Sequence, residues 1–248
     1  QDPETISLAA FAAPASAAVV RCDPAGRMSA EFAQAGHYEL QRASGRTQEF
    51  DIASLPAAQE LAGPWELRFP PHWGAPDRIT LETLVSWSHH PDPGVKFFSG
   101  LATYRKTFDL SESPAGSAGR RVYLDLGNVQ VMARVTLNGR DLGVLWKPPY
   151  RLDITRAARR GSNTLEMAVA NLWPNRMIGD EELPEDSQRN PNGTLKEWPA
   201  WVQAGKPSPT GRYTFTTWNL WKKDDPPVDS GLLGPVTLHW TQTARVRH

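Results

Sequence analysis

The sequence predicts an all-β protein, an antiparallel β-sandwich or jelly roll broken by one long Trp-rich loop. Three observations carry that prediction. Short runs alternating apolar and polar residues recur from Trp65 onward with almost no helical period, and alternation marks a half-buried strand. Proline is abundant, 22 in 248 residues, against a usual share of ~5%; it ends elements and occupies edge strands and connections. Asn138-Gly139 joins two alternating runs, which is the strongest short hairpin signal because both residues tolerate positive φ.

Composition narrows the function classes. Basic and acidic residues balance at 27 each, so no broad field favours nucleic acid or an anionic membrane, and neither partner is expected. The single cysteine, Cys22, rules out an internal disulfide or a cysteine-built metal site. Ten tryptophans supply flat apolar faces with one N–H donor each, suited to sandwich cores and to sugar platforms alike.

Read in order, the chain begins with a stretch that resembles part of an export signal, ISLAAFAAPASAAVV (6–20). The flank QDPET is acidic and lacks Lys or Arg, whereas such signals begin basic. Residues 1–18 are therefore expected to be a linker or N-terminal tail. Pro14 and the short apolar run exclude a membrane span there. Residues 19–62 hold VVRC, AEF, HYELQRA and TQEFDIA between DPAG and SGR turns, a short β segment belonging to, or bridging from, a preceding module. SLPAAQELAG (54–63) reads as a linker. Residues 63–248 carry the sandwich: WELRF, TLETLVSWS, GLATYRKTFDL, RRVYLDLG, the Asn138-Gly139 hairpin, PPYRLDIT, NTLEMAVANLW and GPVTLHWTQTARV. Asp153 and Thr155 can open a short helical turn before Gly161.

The interruption at about 172–231 has little strand pattern and holds Trp173, Trp198, Trp201, Trp218 and Trp221. Long excursions from a compact scaffold are usually functional or disordered, and a Trp-rich one is expected to fold back over the sandwich. Its start, NLWPNRMIGDEELPED (171–186), sets Trp173, Asn175 and Arg176 beside Asp180, Glu181, Glu182, Glu185 and Asp186. Arg and Asn can hold sugar hydroxyls while Trp stacks on a ring face. The candidate substrate-binding residues are therefore Trp173, Asn175, Arg176, Asp180, Glu181, Trp198 and Trp201. The alternative is that Arg176 pairs with Asp180 or Glu181 and Trp173 pins the loop to the core. The acids could serve as a glycosidase pair, which needs two carboxyls ~6.5–9.5 Å apart in the inverting case, but five on one loop are expected to be solvent-facing. Calcium suits their oxygen ligands, although the spacing matches no EF-hand. Trp218 and Trp221, three apart, would share one side of a helical turn. His89-His90 would point to opposite sides of a strand and make no metal site alone.

Tyr104-Arg105, Phe108, Val135, Asn138-Gly139, Leu142-Gly143, Asp153-Ile154-Thr155, Gly161, Asn163 and Leu165 follow an ordered series that is similar to the galactose-binding-like jelly-roll domain of family 2 glycoside hydrolases. SWSHHPDPGVKFFSGLATYRKTF, LWPNRMIGDEELPED, LKEWPAW, GRYTFTTW and DSGLLGPVTL resemble the C-terminal end of family 106 α-L-rhamnosidases. That resemblance implies a carbohydrate partner, a bacterial periplasmic or secreted location, and an upstream (β/α)8 barrel that carries the two catalytic glutamates and a calcium site. No barrel pattern occurs in these residues, so no catalytic residue is assigned within the chain. Two functions stay open: an accessory carbohydrate-binding region of a rhamnosidase, or a free-standing lectin-like module. An exposed apolar patch wide enough to seat a barrel would favour the first. A third option makes the 180–186 acids hydrolytic themselves.

Overall fold

The computed structural model describes residues 17–43, 45–114 and 119–247; the expected tail at 1–18 lies almost wholly outside them. Strands β1 (Ala18–Cys22), β2 (Met28–Phe32), β3 (Gly36–Gln41), β4 (Thr47–Ile52) and β5 (Gln59–Glu60) come first. Then follow β6 (Trp65–Arg68), β7 (Arg78–Leu81), helix α1 (Pro93–Lys96), β8 (Leu101–Leu110), β9 (Arg120–Asp125) and β10 (Asn128–Gln130). Strands β11 (Met132–Leu137), β12 (Arg140–Leu145), β13 (Arg151–Asp153) and β14 (Gly161–Ala170) lead into helices α2 (Pro174–Asp180) and α3 (Ala200–Gln203). Strands β15 (Gly231–Gly234) and β16 (Thr237–Arg245) close the described chain.

Beside the two-stranded sheets β10-β15 and β3-β4, two six-stranded sheets form: one runs β1-β2-β16-β9-β13 with β5 beside β16, and the other runs β12-β11-β14-β8-β6-β7. Every ladder in both is antiparallel. Alternation explains how they meet. Along β8, Ala102, Tyr104, Phe108 and Leu110 turn inward, and along β14, Asn163, Leu165, Met167 and Val169 do so. They pack against Val122, Leu124, Leu238 and Trp240 of the facing sheet in one core. Each fully buried Leu or Val removes enough apolar surface from water to stabilise by ~1.5–3 kcal/mol before entropy is counted.

The hairpin falls where expected. Leu137 pairs with Arg140, and Asn138 and Gly139 have φ of 52° and 78°, the positive pair that a two-residue hairpin turn requires. A bulge between Val135 and Thr136 then shifts the register. The asparagine also has a tertiary use. Its Nδ2 donates to Ala157 O and to Asn163 Oδ1, both at 2.9 Å, and its Oδ1 accepts from Thr164 N at 2.9 Å. Asn163, fully buried, donates in turn to Arg159 O and Gly161 O at 2.8 Å. A buried polar pair satisfied at this level ties the hairpin to the 157–163 loop. A Cβ at Gly139 would meet no atom within 4 Å outside its chain neighbours, so backbone strain is the cost expected of a substitution there. We expect Gly139→Val to lower stability by about 1–3 kcal/mol in a urea titration; an unchanged midpoint would contradict the turn geometry.

The structure corrects several expectations. Within residues 19–62, β2 pairs with β16 of the sandwich, while β3 and β4 pack Phe50 and Ile52 with Phe32 and Val246 into a second small core. The presumed linker at 54–63 contains β5 and Leu61, which is buried in the main core and donates its N–H to Val236 O. TLETLVSWS is a strand only to Leu81; Trp87–His89 form a single 3-10 turn. His89 and His90 therefore do not alternate across a strand, and His90 Nδ1 accepts from Asp92 N. The turn after Asp153 forms, with Thr155 N donating to Asp153 Oδ1 and Ala158 N to Ile154 O.

Candidate functional site

The 172–231 insertion leaves β14 as helix α2, opened by Pro174 at a position where its missing N–H costs nothing. Asn175 and Arg176 do not face solvent. Asn175 is fully buried and reaches 53 residues ahead. Its Nδ2 donates to Val228 O, and its Oδ1 accepts from Val228 N, both at 2.8 Å. This one amide clamps the two ends of the insertion together. Arg176 donates its backbone N–H to Ser99 Oγ, and its guanidinium lies 4.8 Å from the centroid of the Tyr213 ring.

Asp180 is 1% exposed, so the expected solvent-facing carboxylate is corrected to a buried one. Its Oδ2 accepts from Tyr213 N at 2.9 Å and from Thr214 N and Oγ1, each at 2.7 Å. Its Oδ1 lies 3.0 Å from Arg176 Nε. Glu181 is likewise engaged, at 2.7 Å from Arg212 Nη1, and accepts from Asn219 Nδ2. Arg212 donates further to Leu183 O and Pro184 O. Glu185 meets Arg189 at 3.4 Å, Asp186 accepts from Ser187 and Ser208, and Glu182 is exposed. The acids thus crosslink the insertion to arginines and backbone donors. Among the described residues no group of three or more His, Cys, Asp or Glu is placed to hold a metal ion.

The aromatic residues divide into two groups. Trp173, half exposed at 49%, lies 5.9 Å from Trp73, which stacks on Tyr213 at 6.2 Å and 20°. Trp198 and Trp201 both contact Phe215 at 5.6 Å, and Trp201 Nε1 donates to Asp186 O. Between the groups lies a groove of about 610 Å3 lined by Trp73, Tyr213, Trp201 and Phe215, with Lys206 and Ser208 among its polar groups. A cavity of that size suits one or two sugar rings. The structure therefore brings Trp201 to the groove, sets the exposed rings of Trp173 and Trp198 against Trp73 and Phe215 of its walls, and buries Asn175, Arg176 and Asp180. Trp218 and Trp221 share no helical turn: Trp218 is exposed, and its Nε1 donates to Asn192 O at the bridge between Thr194 and Trp218.

Trp73, Tyr213 and Phe215 escaped the sequence reading. Trp73 sits in the Pro-rich loop after β6, one hundred positions from Trp173, and no local pattern links them. Tyr213 and Phe215 lie in GRYTFTTW, where alternating aromatics were the available signal.

Two packed antiparallel sheets with a long ordered insertion at one end define a galactose-binding-like all-β sandwich. Residues 97–205 match the family described as glycosyl hydrolase 2 galactose-binding domain-like. The chain is 41% identical over 204 residues to a protein of Formosa agariphila provisionally named a β-glucuronidase, a match spanning 82% of this chain and 17% of that protein. It also superposes on the structure of a rhamnosidase from Novosphingobium sp. PP1Y, with a TM-score of 0.60 and 30% identity, over 91% of this chain and 22% of that one. Among the described residues no helix is long and apolar enough to cross a membrane.

Proposed function

We propose that this chain is an accessory carbohydrate-binding β-sandwich region of an α-L-rhamnosidase, shaping the substrate site of a separate catalytic barrel. The observation that carries this reading is the groove between the Trp73–Tyr213 and Trp201–Phe215 walls. The likeness to the Novosphingobium rhamnosidase over 91% of the chain supports the choice of sugar. In this reading Trp173, Trp198 and Trp201 meet sugar, and Asn175, Arg176, Asp180 and Glu181 hold the insertion that carries them. The outer face of the second sheet supports a docked partner over a free-standing module. Met132, Ala170 and Leu101 lie side by side across three strands, Met132 and Leu101 are 42% and 54% exposed, and Leu172, Val144 and Trp146 are exposed as well. The Formosa relative favours a second reading, a uronide in place of the rhamnoside.

The test is a titration of the chain with L-rhamnose and with D-glucuronate, followed by tryptophan fluorescence. Binding near the millimolar range, worth about 4 kcal/mol, is expected for rhamnose, with several-fold weakening in Trp201→Ala. The chain alone should leave an aryl α-L-rhamnoside uncleaved. No response to rhamnose at tens of millimolar overturns the proposal, and a response to glucuronate only selects the second reading. Turnover that vanishes in Asp180→Asn or Glu181→Gln would make the insertion catalytic.

A further inference from the structure

A larger groove, of about 880 Å3, opens at the opposite end of the sandwich. Its walls come from the β1–β2 turn, the ends of β9 and β16, the start of β12 and the turn after Asp153. The insertion departs from Ala170, whereas this groove lies near the Gly161 end of β14, more than ~20 Å away at a strand's rise per residue. Six arginines line it. Three are neutralised locally: Arg27 by Asp23 at 2.8 Å, Arg121 by Asp153 at 3.1 Å and Arg120 by Glu112 at 2.6 Å. Arg140, Arg156 and Arg245 are exposed and form no ion pair among the described residues. Three uncompensated cations thus converge on one concavity in a chain whose formal net charge is zero.

We propose that this groove is a second binding site, for a saccharide chain bearing carboxylate or sulfate groups. Guanidinium groups bind both anions through paired N–H donors, and the planar fork is prearranged for them. The lining contains no Trp, Tyr or Phe, so it offers no stacking face for a neutral sugar. Nucleic acid fits poorly, because tight phosphate binders neutralise several phosphates at once and usually carry a basic surplus that this chain lacks. The site is independent of the aromatic groove, and either can fail without the other.

Affinity electrophoresis of the chain in gels containing polygalacturonate, dextran sulfate or neutral dextran tests the assignment. Retardation is expected in at least one polyanion gel and not in dextran, and the stronger polyanion identifies carboxylate or sulfate as the group held. Salt at about 0.5 M should abolish it, since exposed charges are screened within a few ångströms there. Arg140→Gln/Arg156→Gln/Arg245→Gln should weaken it by ~10-fold or more on the affinity scale. Lys147→Gln/Lys222→Gln/Lys223→Gln, an equal change in charge at exposed sites elsewhere, should leave retardation nearly intact, as should Trp201→Ala. The proposal is overturned if neither polyanion retards the chain, if both triple variants lose retardation equally, or if duplex DNA retards it as strongly.

Discussion

Replacing Asp180 with alanine should destabilise the chain by about 3–5 kcal/mol, the usual cost of removing one partner of a buried ion pair. Arg176 and Asp180 have side chains only 7% and 2% exposed, so the orphaned guanidinium would keep the Tyr213 ring as company and little water. The loss does not stop at the pair. Tyr213 N, Thr214 N and Thr214 Oγ1 all donate to Asp180 Oδ2 and would lose their acceptor, each of these part-buried donors costing up to ~1–3 kcal/mol where water cannot replace it. Asp180→Asn preserves the shape and one acceptor oxygen, and should cost distinctly less. Equilibrium denaturation followed by tryptophan fluorescence measures both. Because Asp180 joins the first and third quarters of the insertion, its loss should release the groove-bearing segment before the sandwich unfolds, giving a separate early transition. A midpoint within ~0.5 kcal/mol of the parent, the range of ordinary surface changes, would show that the carboxylate is not holding the insertion.

Gly231→Ala should cost about 2–6 kcal/mol through two additive mechanisms. Gly231 has φ of 89°, a conformation that strains any residue with a Cβ by ~1–3 kcal/mol. That Cβ would also stand 2.5 Å from the Trp87 ring and 2.8 Å from Tyr104 Oη. Neither neighbour can yield cheaply. Trp87 and Tyr104 are 1% and 0% exposed, stack at 6.2 Å and 15°, and share the bond from Trp87 Nε1 to Tyr104 Oη. Tyr104 Oη also accepts from Leu232 N, and burial holds its phenol well above the ordinary ionisation range. Overpacking a core this closed costs ~1–3 kcal/mol. The check is the thermal midpoint together with near-ultraviolet circular dichroism, to which the buried Trp87–Tyr104 pair contributes; an unaltered spectrum and midpoint would refute the packing argument.

What could be read from the residues alone is what short-range rules control. Strand existence follows from alternation, since each inward residue of β8 and β14 must be apolar or fully bonded. The hairpin follows from Asn138-Gly139, since the turn's dihedrals exclude most other pairs. The i,i+4 pairing of Arg176 with Asp180 was visible as one alternative on the same footing. The remaining partners of Asp180 stand 33 and 34 positions away, and nothing local marks them, so a buried crosslink looked like a solvated acid.

By itself the sequence determined the class of fold, the position of its turn and the place where the sandwich is interrupted. Tertiary structure alone decided that β2 joins the main sheet through β16, that Trp73 meets Trp173 and Tyr213, and which carboxylates are buried. The physical reason is that alternation and turn preference act between neighbours along the chain. Sheet order, ion-pair burial and aromatic contact depend on which distant surfaces exclude water from one another, and that choice is made by the whole core at once.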